Sequence, residues 1–321
     1  MKTKPIIIIA GEPKSIFFEI FFKSIKLKNY KTPLILVASL KLLKSQMIKF
    51  NFKKKIKLLS LNEIHGVSLN NKNINIINVD LETSSNINTK KKLSKKYIKN
   101  CFSITFKLIK KGLTNKIING PIDKKKFLDK KYLGVTEYIS SSFNQKKFGM
   151  LIYNKNLSVC PLTTHLPIKL VSKNITRKKI IEKIIIIDDF YNKHFGFKAN
   201  IGVVGLNPHC ESILKYNEDD KIVSSAIIYL KRKKIKVAGP MPADTIFLKK
   251  NRKKFDVVLG MYHDQVLAPI KTLFEHDAIN ITMGLPFLRV SPDHGPNEKM
   301  FGKNISNPIS LIKALNFLDQ K

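Results

Sequence analysis

Acidic side chains are scarce in this chain: 23 Asp and Glu residues stand against 59 Lys and Arg, which gives a net charge of +36. A surplus of this size is typical of proteins that bind nucleic acid or an anionic surface. The lysines, however, are spread over the whole length and are not interleaved with aromatic residues as in single-strand binding grooves. We interpret them as solvated faces that help to attract a phosphorylated substrate, and nucleic-acid binding stays a remote alternative.

Cysteines and long apolar runs are also few. The three cysteines, which lack CxxC spacing, are Cys101, Cys160 and Cys210. This pattern excludes a disulfide framework and fits a reducing cytoplasm. The two longest apolar runs, residues 6–10 and 180–187, are too short or too interrupted for a signal peptide or a membrane span. We therefore expect a soluble cytoplasmic protein.

Apolar, β-branched runs alternate with amphipathic helical patterns along the chain, and Gly or Pro flanks the runs. The predicted strands cover residues 6–10, 34–38, 56–59, 74–79, 148–153, 157–162, 201–204, 235–238 and 257–259. Because strands that alternate with helices form parallel sheets, the pattern predicts an α/β fold with a largely parallel sheet. The 321 residues favour two domains or one large doubly wound unit. The loop after the first strand lacks the G-x-G-x-x-G pattern, so it does not indicate a Rossmann site.

Three of the seven histidines, His165, His209 and His263, follow directly on apolar strands. Strand exits of one parallel sheet can converge, and three neutral imidazoles suit zinc or a similar divalent ion with an open position for substrate. Asp244 and Asp264 are candidates to orient a ligand histidine or to accept a proton. Hydrogen-bonded loop residues are the alternative for each of the five, and the pattern alone does not decide between the two.

The stretch 255–295 is predicted to begin as a buried strand that turns at Gly260 and leads to His263. Farther along, Lys271 and Arg289 lie in apolar segments, where a cation is costly unless it is paired. The guanidinium fork of Arg289 can bind a carboxylate or phosphate through two hydrogen bonds. This stretch therefore predicts part of a site for a small anionic substrate.

Six short motifs stand in order: THLP at 164–167, GLNPH at 205–209, GPMPADT at 239–245, MYHDQ at 261–265, NITMGLPF at 280–287 and DHG at 293–295. Together with GEP at 11–13 and GPIDK at 120–124, they resemble the 4-hydroxythreonine-4-phosphate dehydrogenase family of pyridoxal phosphate biosynthesis. The resemblance covers nearly the whole chain.

The resemblance implies two α/β domains similar to those of isocitrate and isopropylmalate dehydrogenases, with the active-site cleft between the domains and completed across a homodimer. The first domain is expected over residues 1–125 and about 286–321, and the second, with the metal and the dimer contacts, over about 126–285. The family's metal-binding histidines match His165, His209 and His263. Its substrate contacts match Thr136, Lys271, Asn280 and Arg289.

The implied reaction is an oxidation of the C3 hydroxyl of 4-phosphooxy-L-threonine with NAD or NADP, followed by decarboxylation to 3-amino-2-oxopropyl phosphate. One divalent ion per site (Zn, Mg or Co) would acidify the hydroxyl and stabilise the enolate that decarboxylation leaves. The expected catalytic residues are Asp244, Asp264 and Lys271, and the cofactor contacts stay open. The alternative is a related metal-dependent dehydrogenase that oxidises another phosphorylated hydroxy acid or a dihydrodiol carboxylate.

Three segments depart from the family pattern. Val135 replaces the histidine of the usual Gly-His-Thr-Glu motif, which removes a hydrogen bond or a charge next to Thr136. The first loop, residues 11–17, lacks two of the usual glycines, and residues 296–298 alter the motif after DHG. The metal and substrate sets are otherwise intact, so we expect an active dehydrogenase with weakened substrate binding or a shifted substrate preference.

Overall fold

The computed structural model describes residues 4–61, 64, 68–128, 131–211, 216–292 and 294–321. The chain divides into two compact units: unit 1 comprises Met1–Val135 and Pro286–Lys321, and unit 2 comprises Thr136–Leu285. Unit 1 is therefore discontinuous, and the chain passes from it into unit 2 at residues 135 and 136.

Unit 1 has strands β1 (Ile6–Ile9), β2 (Leu34–Ala38), β3 (Ile56–Leu58), β4 (Ile74–Asn78), β5 (Lys116–Asn119) and β12 (Leu288–Pro292). Its helices are α1 (Phe17–Leu27), α2 (Leu40–Lys49), α3 (Ile87–Lys110), α4 (Lys124–Phe127) and α12 (Ile309–Asp319), with a 3₁₀ turn at Glu298–Met300. The strands pair in parallel in the order β3-β4-β2-β1-β5-β12.

The sheet of unit 1 is buried along its central strands. The four isoleucines of β1, Ile6–Ile9, are fully buried, as a central parallel strand covered on both faces requires. Phe17 of α1, Phe102 of α3 and Leu311 of α12 are also fully buried. Continuous apolar runs of this kind explain why the strands predicted at 6–10, 34–38 and 74–79 coincide with β1, β2 and β4, whereas the sequence pattern did not predict β12.

The exits of β1 and β5 lie against each other in unit 1. The Gly120 amide donates a hydrogen bond of 2.7 Å to the carbonyl of Ile9, and the Glu12 amide donates one of 2.9 Å to Pro121. A Cβ on Gly120 would lie 2.4 Å from the carbonyl oxygen of Ala10, so only glycine permits this approach.

Unit 2 has strands β6 (Gly149–Tyr153), β7 (Ser158–Thr163), β8 (Ile201–Val204), β9 (Val237–Met241), β10 (Val257–Tyr262) and β11 (Ile279–Met283). Its helices are α5 (Val135–Ser142), α6 (Val171–Asn174), α7 (Arg177–Phe195), α8 (Ser225–Arg232), α9 (Ala243–Ile246), α10 (Lys249–Arg252) and α11 (His263–Phe274). Shorter helical turns lie at Ile168–Leu170 and Pro208–Cys210, and a π-helix lies at Asp219–Ser224.

The sheet of unit 2 is mixed. Strands β7, β10, β8 and β9 pair in parallel in that order, whereas β6 pairs antiparallel with both β7 and β11. A core that includes Ile152, Val159, Val258 and Val266 lies on this sheet. The predicted α/β class with a mostly parallel sheet is confirmed.

Gly260 does not form the turn that the sequence suggested. It is a buried residue inside β10, which continues to Tyr262, and α11 begins at the next residue. A Cβ on Gly260 would lie 2.4 Å from Cγ1 of Val266. The glycine is therefore needed because α11 returns tightly over the end of its own strand.

The apolar run at 180–187 belongs to α7, whose isoleucines 180, 184 and 187 are fully buried at helical spacing. None of the helices in the described part of the chain combines the length and the apolar character that crossing a membrane requires. The three cysteines are free.

Candidate active site

Four polar side chains follow the parallel strands of unit 2 at their carboxyl ends. His165 comes after β7, His263 after β10, His209 after β8 and Asp244 after β9. Because these strands are parallel neighbours, their carboxyl ends share one edge of the sheet, which is where α/β proteins bind ligands. The order of the strands in the sheet thus brings to one edge residues that are far apart in the sequence.

His165 and His263 are the closest pair at this edge. Their ring centroids lie 5.7 Å apart. The strands before them are joined by a hydrogen bond of 2.7 Å that the Thr163 hydroxyl donates to the carbonyl of Met261. His263 opens α11, and its Nδ1 lies 2.7 Å from Oδ1 of Asp264. With the proton on Nδ1, Asp264 orients this imidazole and leaves Nε2 for a ligand.

His209 lies on a strained segment of the loop after β8. Its backbone has φ 56°, and Cys210 after it has φ 62°, a left-handed conformation that costs energy for residues other than glycine. The His209 side chain is 73% exposed, and its Nδ1 lies 4.0 Å from Oδ2 of Asp244. Strain of this kind persists where the surrounding structure imposes it, often at functional sites.

The donor set at this edge fits a divalent ion in its chemistry, since imidazoles are good ligands for zinc and similar metals. Across the described ranges of the single chain, however, no three His, Cys, Asp or Glu side chains come together as a group that could hold a metal. The structure brings His165 beside His263, and His209 near Asp244.

The predicted substrate contacts lie on four different elements. Thr136, on α5, is 7% exposed and Arg289, on β12, is 3% exposed. Lys271 lies half-buried on α11, and Asn280 lies half-buried on β11. Nε of Arg289 donates a hydrogen bond of 2.8 Å to Oδ1 of Asn119. Arg289 belongs to unit 1 and the other three to unit 2.

Sequence reasoning did not assign Glu137 a role, although the residue belongs to the quoted Gly-Val-Thr-Glu segment. Its Oε1 accepts a hydrogen bond of 3.2 Å from the hydroxyl of Thr164, the residue that precedes His165. Among the described residues, its buried Oε2 has no hydrogen-bond partner. The hydrogen bond to Thr164 places Glu137 at the carboxyl end of β7. A hydrogen-bond donor on a bound ligand would satisfy Oε2 there.

The segments expected to depart from the family pattern are structured in different ways. Val135 is 8% exposed at the start of α5. Glu12, in the altered first loop, is buried, and its Oε1 accepts a hydrogen bond of 2.9 Å from Ser94. Burial raises the pKa of the Glu12 carboxyl above its ordinary value, although the Ser94 hydrogen bond acts in the opposite direction. Asp293 of the DHG motif lies outside the described residues.

Comparison with known proteins decides the family. The family model described as pyridoxal phosphate biosynthetic protein PdxA matches residues 29–318. The chain belongs to the PdxA family. A 4-hydroxythreonine-4-phosphate dehydrogenase of Sulfurihydrogenibium sp. (strain YO3AOP1) is 35% identical over 320 residues, which cover 96% of this chain and 95% of that protein. A relative of the same name from Xanthobacter autotrophicus is 44% identical over 168 residues, 52% of this chain and 48% of the relative.

Solved structures agree with this membership. The crystal structure of 4-hydroxythreonine-4-phosphate dehydrogenase from Klebsiella pneumoniae superposes with a TM-score of 0.84 at 25% identity, covering 99% of each chain. A beta-decarboxylating dehydrogenase from Thermococcus kodakarensis superposes with a TM-score of 0.50 at 12% identity, over 98% of this chain and 82% of the other, which supports the fold alone.

These comparisons confirm three predictions from the sequence: the family, the α/β fold class, and an oxidoreductase function in pyridoxal phosphate biosynthesis. Membership of a dehydrogenase family implies a cofactor of the nicotinamide type. The roles of individual site residues stay predictions.

Proposed function

We propose that this chain catalyses the reaction for which its relatives are named, the oxidation of 4-hydroxythreonine 4-phosphate at its C3 hydroxyl with NAD, followed by decarboxylation to 3-amino-2-oxopropyl phosphate. The observation that carries the proposal is the match to a dehydrogenase of that name at 35% identity over 96% of the chain. The three histidines of the quoted motifs, which follow parallel strands of one sheet, support it further.

His165, His209 and His263 are the proposed holders of one divalent ion. When bound, a zinc, magnesium or cobalt ion there polarises the substrate hydroxyl and stabilises negative charge left by the loss of the carboxylate. Support comes from the 5.7 Å separation of two of the rings and from the strained backbone of His209. Asp264 keeps the His263 ring oriented through its hydrogen bond.

Arg289, Lys271, Asn280 and Thr136 are the proposed contacts of the anionic substrate. The Arg289 guanidinium suits a carboxylate or phosphate, because its planar fork donates two parallel hydrogen bonds. The buried Oδ1 of Asn280, which accepts no hydrogen bond within the described residues, suits a substrate donor such as an ammonium group. Lys271, Asp244 and Asp264 are the candidates for proton transfer.

The protein acts as a homodimer in this proposal, with a second copy completing each active site. Next to the histidine edge, Ile168 is 70% exposed and Leu170 is 42% exposed, shortly after His165 in the chain. Large apolar side chains exposed beside a polar site are typical of a surface that another chain covers. Location in the cytoplasm is likewise a proposal, based on the unpaired cysteines.

The test is NADH formation by the purified protein from 4-phosphooxy-L-threonine, with and without a chelator. We expect turnover that the chelator abolishes and added Zn²⁺, Mg²⁺ or Co²⁺ restores. Replacing His165, His209 or His263 by Ala should lower turnover by more than about 100-fold, beyond the 10–100-fold typical of residues outside the ligand shell, and should remove the bound metal.

His276→Ala is the matched control, because His276 lies exposed in the turn after α11. It should leave both metal content and turnover unchanged. Turnover of a different phosphorylated hydroxy acid, with no NADH from 4-phosphooxy-L-threonine, would contradict the proposed substrate.

A further inference from the structure

The loop that carries His209 is held by one fully buried carboxylate. Oδ1 of Asp219 accepts a hydrogen bond of 2.6 Å from the amide of Leu206. Its Oδ2 accepts bonds of 2.9 Å from the amide and 3.1 Å from the side chain of Asn207. Asp219 itself is 0% exposed. A buried carboxylate is costly unless donors surround it, so these three bonds tie Asp219 and the loop firmly together.

Asp219 is in turn fixed in place. Its amide donates a hydrogen bond of 2.8 Å to Oδ1 of Asn217, and it opens the π-helix Asp219–Ser224. Helical segments of this kind are rare and are found frequently at functional sites. A Cβ on Gly205 would lie 3.0 Å from Oδ1 of Asp219 and 2.6 Å from Sγ of Cys210. The loop therefore packs closely on the carboxylate.

Gln265, on α11, holds the first residue of the same loop. Its Oε1 accepts a hydrogen bond of 2.7 Å from the amide of Met261, and its Nε2 donates one of 2.7 Å to the carbonyl of Gly205. Gln265 is 8% exposed and follows His263 by two residues on α11. One side chain thus bridges the strand exit before His263 to the loop before His209.

We propose that Asp219 and Gln265 are positioning residues that hold the loop carrying His209 in a fixed place, and thereby set the affinity of the site for its divalent ion. The inference rests on the proposed function, because it assumes that these histidines bind metal. A fixed loop explains how His209 keeps its left-handed backbone: the hydrogen bonds at residues 205–207 offset the strain at residue 209. Neither residue need touch the ion or the substrate.

The test uses two substitutions in the full-length protein, Asp219→Asn and Gln265→Met. Each new side chain is similar in size to the one that it replaces. In Asp219→Asn, a side-chain amide replaces the carboxylate, so an NH₂ group takes the place of one acceptor oxygen. That group is itself a donor and faces the donors of Leu206 and Asn207. In the second, the thioether side chain loses both bridging hydrogen bonds. Asp220→Asn is the matched control, since Asp220 is adjacent but exposed and its replacement removes the same charge. The affinity for Zn²⁺ alone is measured against a competing chelator, at a temperature at which every variant is folded.

Amide hydrogen exchange of the metal-free protein provides a second readout. We expect faster exchange at Leu206 and Asn207 in Asp219→Asn, because their acceptors are lost or weakened. Zn²⁺ affinity should fall about 10- to 100-fold in both variants, the range found when residues behind metal ligands are replaced. Asp220→Asn should change neither quantity.

The outcomes separate this inference from the proposed function. Unchanged exchange in Asp219→Asn would show that the carboxylate does not hold the loop. Faster exchange in Asp219→Asn together with unchanged Zn²⁺ affinity in both variants would overturn the inference, while the metal proposal would stand. If the unaltered protein binds no divalent ion, the metal proposal itself is wrong and the positioning role falls with it.

Discussion

Arg289 combines a full charge with almost complete burial, at 3% exposure on a strand of unit 1. Nε of Arg289 donates a hydrogen bond to the side-chain oxygen Oδ1 of Asn119, on the neighbouring strand β5. This bond orients the guanidinium group. A buried cation is costly unless it is paired, and in the proposed function an anionic group of the substrate binds Arg289.

Replacement of Arg289 by Ala should lower kcat/KM about 10- to 100-fold, because a charge-assisted hydrogen bond contributes about 1.5–3 kcal/mol. Steady-state NADH formation measures the effect, and chemical unfolding shows whether the fold is retained. Arg289→Lys is the matched variant: it keeps the charge but loses the fork, so it should recover only part of the activity. A normal kcat/KM in Arg289→Ala would remove this residue from the substrate site.

Val135 stands where the Gly-His-Thr-Glu pattern expected from the family resemblance has its histidine. Val135→His should lower KM for 4-phosphooxy-L-threonine about tenfold, since one restored hydrogen bond to a charged group is worth about 1.5 kcal/mol or more. The matched control is Val135→Leu, which adds volume at this buried site without a polar group. An unchanged KM in the His variant would mean that the missing imidazole is irrelevant in this protein.

At the level of elements, the exits of β1 and β5 show how closely two strand ends pack in unit 1. The Gly120 amide is bonded to Ile9, so the backbone cannot move away from a new side chain without losing that bond. A Cβ at this position would also lie 2.7 Å from Cδ2 of Phe17 on α1. Gly120 thus packs against both the exit of β1 and α1, the helix that follows β1.

Gly120→Ala should therefore destabilise the protein by about 1–3 kcal/mol, the usual effect of forcing an extra methyl group into a packed site. Urea unfolding followed by circular dichroism measures the change in the free energy of unfolding. Gly295→Ala is the matched control, because a Cβ there would meet no atom of the described residues within 4 Å. Equal stability of the two variants would contradict the close approach of β1 and β5.

For the whole molecule, the open question is whether two copies share each active site. Mixtures of inactive variants give a direct test, in which His209→Ala is combined with His165→Ala or with His263→Ala and subunits are allowed to exchange. If the ligands of one site come from both copies, at least one mixture regains part of the wild-type activity, because half of each mixed dimer is then intact. Mixed dimers that remain inactive in both combinations would contradict shared ligands.

Sequence reasoning reached further for the fold than for the site. Strands such as β1 and β8 are continuous apolar runs bounded by Gly or Pro, so their burial leaves a local pattern. Motif order identified the family for the same reason, since each motif is short and contiguous. The prediction of a turn at Gly260 is wrong, because a glycine required by packing within a strand looks the same in sequence as one required by a turn.

The amino-acid sequence by itself determined the α/β class, the family, and the placement of His165, His209 and His263 after strands, because these depend on residues that are neighbours in the chain. Only the tertiary structure decided which strand exits share an edge, that His165 lies beside His263, and that Asp219 and Gln265 hold the His209 loop. Those contacts join residues that are distant in sequence. They follow from the order and direction of strands in the sheet, and they leave no periodic pattern in the chain.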